Sequence, residues 1–230
     1  MLKSFWILVT GLLFAFEVSA ATRDFAMRKC NEELRQNAPE IEVVYNFGDL
    51  GFDNTKTADE LSEMIEKTYP QIPNHKLNGL TQLMPYVSIE SRANRTVIDN
   101  YACYYPQHLR VVIGYKPTVY IRNDIAPGSC RFNVTLRHEQ THLDIGHLSL
   151  VKFAQLVKDI FPQQVNDIGV RIEVYRDDIR DAQVSSEMNN TYITQMNVFF
   201  EKFVKEMTEQ QMLIDTRESY KAETALCPKD

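Results

Sequence analysis

Beyond its first twenty residues, this 230-residue chain has no apolar run that approaches the roughly 20 consecutive residues a bilayer span needs. No internal membrane span is therefore expected. Basic charge is also scarce: 25 Lys and Arg stand against 31 Asp and Glu, a net charge of −6. Without a basic stripe, nucleic acid is excluded as a partner. None of the four cysteines forms a Cys-x-x-Cys pair, which removes the thiolate zinc sites and the dithiol redox motifs. The chain shows no serine or cysteine nucleophile motif, no phosphate-binding glycine loop, no internal repeat and no low-complexity tract.

What is present begins with an export signal. Lys3 supplies a charged start, Phe5 to Phe16 is almost wholly apolar, and Val18-Ser19-Ala20 places small residues before Ala21. Residues 1–20 read as a signal peptide and 21–230 as a single zincin-like domain, periplasmic or secreted, with no stable membrane span after cleavage. No cysteine stands at the cleavage site, so a lipoprotein anchor is not expected. In an exported chain, Cys30, Cys103, Cys130 and Cys227 read as two disulfides. Three connectivities are open; Cys103–Cys130 with Cys30–Cys227, which would tie the termini, is the favoured one.

The mature chain divides into a β-rich and a helical half. Ile41 to Phe47 reads as a strand, and Thr57-Ala58-Asp59-Glu60 as a capping box opening a short helix through Leu61, Met64 and Ile65. Leu109 to Ile113 and Thr118 to Ile121 read as two strands joined around Gly114 to Pro117. A long helix is expected from Cys130 to Phe161, its stripe of Leu150, Phe153, Ala154, Val157, Ile160 and Phe161 stopped by Pro162. A short helix is expected around Ile172 to Ile179. A last long helix should run from Glu187 to Glu218, with Ile193, Met196, Phe200, Phe203 and Met207 on its apolar face. The fold class is α+β: a small, mainly antiparallel sheet packed on a long motif helix and a long C-terminal helix.

The chemistry lies in His138-Glu139-Gln140-Thr141-His142. Histidines four residues apart share one helix face, so both imidazoles can reach one metal ion at about 2.0–2.1 Å. Glu139 can then accept the proton of a metal-activated water. This is the His-Glu-x-x-His pattern of zinc hydrolases, and it points to Zn2+ as cofactor and to a peptide or protein as substrate.

Zinc needs a third protein ligand. His147 is near in sequence, but nine residues after His138 it falls on the opposite helix face. If the two long helices pack antiparallel, His142 lies level with Glu206 to Glu209, and His138 with Gln210 to Leu213. The end of the last helix then reaches the motif, offering Asp215, Glu218 or Tyr220. Glu173 is a further candidate. Asp215 is the preferred third ligand.

The run His138 to Ile145 resembles the signature of a family of bacterial secreted proteins described as zinc-dependent proteases, whose function is unassigned. Members follow the second histidine with x-Asp-Ile, as Leu143-Asp144-Ile145 does here, and end in a helix bearing Tyr-Asp-x-x-Thr-x-His-Gly. Here Ile214-Asp215-Thr216-Arg217-Glu218-Ser219-Tyr220-Lys221 keeps only the Asp clearly, and Tyr220 stands at the histidine. The resemblance spans about Cys103 to Tyr220 and implies an exported hydrolase. It leaves two expectations: a zinc metallopeptidase with Glu139 as general base and His138, His142 and Asp215 as ligands, or a non-catalytic exported binding or assembly module with a vestigial metal site.

Overall fold

The computed structural model describes residues 22–68, 77–176 and 181–227. The expected signal peptide lies outside the described residues. In chain order the elements are helix α1 (22–36), strands β1 (Glu40–Asn46) and β2 (Gly51–Asp53), helix α2 (Ala58–Thr68), strands β3 (Gly79–Ile98) and β4 (Tyr101–Ile121), helix α3 (Cys130–Ile168), strand β5 (Arg171–Val174), and helices α4 (Asp181–Met212) and α5 (Arg217–Thr224). The fold class is α+β, as the sequence implies.

All the other strands pair with β4. The sheet is mixed: β2 runs parallel to β4, with Phe52 opposite Val119, and β5 runs antiparallel to it, with Cys103 opposite Ile172. The expectation of a small, mainly antiparallel sheet is corrected to that extent. β3 and β4 meet in a two-residue turn at Asp99–Asn100. Asp99 there takes φ +52°, a left-handed conformation that Asp tolerates better than most residues.

β4 is one 21-residue strand, where the sequence suggests two strands about Gly114 to Pro117. Proline cannot donate a ladder hydrogen bond. Beside Pro117 runs the link between the end of β1 and the start of β2. Gly48 passes so close that a Cβ would meet the Tyr115 carbonyl oxygen at 2.6 Å and Pro117 Cδ at 3.2 Å, and its φ of +63° also requires glycine.

Contacts divide the described residues into two compact units, the first drawn from 22–42, 89–111 and 160–196, the second from 43–88, 112–159 and 197–227. In the first unit, Cys30 of α1 is bonded to Cys103 of β4 within a cluster that also buries Leu34 and Tyr105. The start of α4 is anchored there by Asp181, which accepts from Tyr104 Oη at 2.8 Å and from Arg95 at 2.9 Å. Tyr104 and Tyr105 are thus core residues. In the second unit, Val119, Ile121 and Ile125 pack with Phe132, Leu136 and Leu143 of α3. Phe153 stacks on Phe203, ring centres 4.5 Å apart. The capping box forms as read: Thr57 N–H donates to Glu60 Oε2 at 2.7 Å, and Glu60 N–H to Thr57 Oγ1 at 3.2 Å.

Three other expectations change. The disulfides are Cys30–Cys103 and Cys130–Cys227, each with Cα atoms 5.7 Å apart, in place of Cys103–Cys130 and Cys30–Cys227. Each bond lies inside one unit, and the favoured pairing fails because Cys103 and Cys130 belong to different units. Residues 171–174, read as the start of a helix, form β5 on the free flank of β4; residues 177–180 of that reading lie outside the described residues. Helix α3 continues through Pro162 to Ile168. Pro162 is exposed, while Phe161 and Val165 beside it are fully buried and hold the helix line across the missing hydrogen bond.

A proline inside a helix costs about 3 kcal/mol relative to alanine. Pro162→Ala should therefore raise the unfolding free energy by about 1–3 kcal/mol, read as a shift of the urea midpoint. An unchanged or lower midpoint would mean that the helix uses the proline to set its path.

Candidate metal centre

The site belongs to the second unit and is built where α3 faces the end of α4. Aromatic, amide and acid contacts show an antiparallel register, in which each residue gained along α3 is one lost along α4. Phe153 meets Phe200, His142 meets Gln211, and His138 meets Asp215. The helix-pairing expectation placed these partners two to five residues too early, because it took the near ends of the two helices as level.

The last helix is not continuous to Glu218. α4 ends at Met212, a turn follows, and Thr216 caps the separate helix α5 by accepting from Ser219 N–H at 3.1 Å. Asp215 lies in this break, immediately before the cap. Freed from helical direction, its carboxylate turns toward the two histidines.

His138 Nε2 and His142 Nε2 each lie 3.1 Å from Asp215 Oδ1 and 3.2 Å from one another. These three residues could hold a metal ion, and among the described residues they are the group of histidine, cysteine and acid side chains with such convergence. A tetrahedral ion with ligands about 2.0–2.1 Å away separates its ligand atoms by about 3.3–3.4 Å. The triangle need open by only about 0.2 Å to close around one.

The remaining ring nitrogens decide which atoms point inward. His138 Nδ1 donates to Glu223 Oε1 at 2.7 Å, and His142 Nδ1 donates to Gln211 Oε1. Gln211 Nε2 in turn donates to the His142 carbonyl at 2.9 Å, which fixes the amide's orientation. Both rings therefore carry their proton on Nδ1, the arrangement that frees Nε2 for a metal. Two bare Nε2 lone pairs then face a carboxylate oxygen, and such a group is stable only with positive charge among them, from protons or from an ion.

Without metal, protons take that role. Burial disfavours the charged ring of His138, but its hydrogen bond to Asp215 and the nearby charges of Glu139 and Glu223 outweigh this and raise its pKa to about 9. His142 is raised on the same balance, with Asp215 again the main opposing influence. Burial pushes the Asp215 carboxyl up, yet hydrogen bonds from both histidines and from Tyr220 hold it below the usual carboxylate range. Tyr220 Oη donates to Asp215 Oδ1 at 2.8 Å, and burial and that carboxylate drive the phenol's pKa strongly upward, so it stays a donor.

Glu139 is only 2 % exposed. Its Oε2 lies 2.8 Å from Thr81 Oγ1, which donates to it, and burial raises its pKa to about 7. Gly79 leaves the room it needs, since a Cβ there would meet Glu139 Oε1 at 2.6 Å and Thr135 Cγ2 at 2.7 Å. Glu139, His142, Asp215 and Tyr220 border one cleft.

Of the sequence candidates, the structure brings together His138, Glu139, His142, Asp215 and Tyr220. Glu218 is exposed in the first turn of α5. His147 stacks on Phe47 with ring centres 3.7 Å apart. Glu173 belongs to the first unit, where it accepts from Arg171 at 2.8 Å. Sequence reading missed Gln211, Glu223, Thr81 and Gly79. Gln211 was within reach, since it precedes Asp215 by four residues on the helix already paired with the motif; Glu223 and Thr81 carry no such signal. Comparisons with protein-family models, with curated proteins and with solved structures give no match.

α5 has no buried residue, so apolar packing does little to hold it. It is fastened by Glu223 and Tyr220 at one face and, just beyond its end, by the Cys130–Cys227 bond to the first residue of α3. Replacing both cysteines by serine should weaken divalent-metal affinity about 10- to 100-fold, the range found when supporting groups of a metal site are removed. Competition with a chromophoric chelator measures this, and unchanged affinity would show that the side-chain contacts alone suffice.

Protons and metal compete for the same triangle. His138 has its pKa raised above its unfolded value near 6.5, so the stability it contributes is full below that pH and is lost as pH rises through about 9. Glu139, raised from about 4.5 to about 7, acts in the same direction. Metal-free protein should thus lose stability between about pH 6.5 and 9, whereas metal-loaded protein should not. Thermal melts with and without chelator across that window test the difference.

Proposed function

We propose that this chain is an exported zinc-dependent metallohydrolase, a peptidase in its simplest form. The observation that carries the reading is the triangle of His138, His142 and Asp215, with both histidines pinned through Nδ1 and the buried Glu139 bordering the same cleft. Two disulfides fit an oxidising compartment and support export. The likeness of the motif helix to the secreted zinc-protease family points the same way.

His138, His142 and Asp215 hold the ion, two neutral nitrogens and one anionic oxygen suiting zinc. Bound zinc supplies Lewis-acid polarisation of a substrate carbonyl and lowers the pKa of water to about 7. Glu139 accepts the proton of the attacking water and returns it to the leaving amine as the C–N bond breaks. A proton affinity near 7 lets one carboxylate take and give the proton at neutral pH. Thr81 holds Glu139 in place by its hydroxyl. Tyr220 and Glu223 orient Asp215 and His138 from behind.

Metal analysis of the protein should find about one zinc per chain. His138→Ala should lose it, while Glu139→Gln should keep it and reduce hydrolysis of a mixed peptide pool about 10²- to 10⁴-fold. No zinc uptake at neutral pH refutes the reading. Zinc bound tightly with no turnover of any peptide favours the alternative, a binding or assembly module with a vestigial site.

A further inference from the structure

Resting on that reading, the lining of the cleft names a substrate class. We infer that the cleft takes an apolar side chain, of the leucine, methionine or phenylalanine kind, next to the bond that is cut, and rejects acidic ones. Beside Glu139, His142, Asp215 and Tyr220, the lining is Ile65 of α2, Leu77, Leu80 and Leu83 at the start of β3, and Met207 and Met212 of α4. Leu77 and Met207 are buried beneath it, Ile65, Leu80 and Leu83 stay partly exposed, and Met212 is exposed.

The polar residues of the lining are mostly committed. Thr81 serves Glu139 and Gln211 serves His142, which leaves Thr208 and the backbone at Gly79. No lysine or arginine lines the cleft among the described residues. With zinc bound, the carboxylates of Asp215 and Glu139 balance the ion's charge, so an acidic side chain finds no basic residue to pair with and a basic one no free carboxylate, and either would lose its water against leucine and methionine. An apolar side chain instead displaces water from apolar walls left open among the described residues.

Met207 and Met212 bear on how strict the choice is. Thioether side chains adapt their shape and make favourable contact with aromatic rings. The cleft therefore accepts several apolar shapes, and discriminates by polarity more than by branching.

Internally quenched peptides that differ only in two adjacent central residues, Leu, Met, Phe, Ala, Glu or Lys, test this with zinc-loaded protein. Leu, Met and Phe should exceed Ala by about 10- to 100-fold in kcat/KM, the value of burying such a side chain. Glu should fall below Ala. Binding of the same peptides to the zinc-loaded Glu139→Gln variant, read by fluorescence anisotropy, should follow the same order without turnover. Met212→Lys changes an exposed residue and should narrow the gap between Leu and Glu peptides by about 10-fold or more.

Equal treatment of Leu, Glu and Lys peptides, in cleavage or in anisotropy, overturns the inference and leaves the metallohydrolase reading standing. Zinc uptake without any cleavage overturns that reading, while the anisotropy order still decides the inference. A Leu-to-Glu ratio unmoved by Met212→Lys also counts against it, because the exposed wall would then play no part.

Discussion

Three electron-pair donors held within 3.2 Å of one another repel unless a positive charge lies among them. Two imidazole nitrogens and one carboxylate oxygen stand in that relation here, and the rest of the second unit is arranged to keep them there. Glu223 and Gln211 occupy the outer nitrogens, so neither ring can turn its lone pair away. Tyr220 occupies the carboxylate oxygen from a third direction. The raised proton affinity of both histidines and the lowered one of Asp215 express one fact: the cluster binds positive charge, and protons fill the role when no ion does.

The two sides of the cluster are secured by different physics. His138, Glu139 and His142 ride on α3, whose apolar stripe from Leu150 to Phe161 is buried. Asp215, Tyr220 and Glu223 ride on a short segment with no buried residue of its own helix, tied down by a disulfide to the start of α3. A bond across a separation of 97 residues removes much of the unfolded chain's freedom. It also does something local, by keeping Asp215 beside the two histidines. In this part of the molecule, covalent linkage and polar contact take the place of a core.

The cleft completes the division of chemistry. Its charged groups are those of the cluster, and its remaining lining is largely aliphatic and thioether. Glu139 borders it with the carboxylate nearly excluded from water, which is why burial dominates its titration. Gly79 and Thr81, neighbours on β3, make the room and supply the hydrogen bond that this acid needs. A strand thus contributes to the proposed chemistry without supplying a ligand.

Local rules were enough to read some of this from the chain. The capping box at Thr57 and Glu60 forms as written because its partners are three residues apart. The His138–His142 pair and its neighbour Glu139 follow from helical spacing alone. Tertiary context decided what local rules misjudged. Pro162 does not end α3 because Phe161 and Val165 are buried on either side of it. Pro117 lies within β4 without ending it. Cysteine pairing depended on which unit each cysteine joined. Asp215, the carboxylate already preferred from the sequence, meets the histidines through the break after Met212, which directs it toward α3. His138, Glu139 and His142 share one rigid helix, so spacing determines them; Asp215 arrives from another segment 73 residues beyond His142, where only folding sets distance and direction.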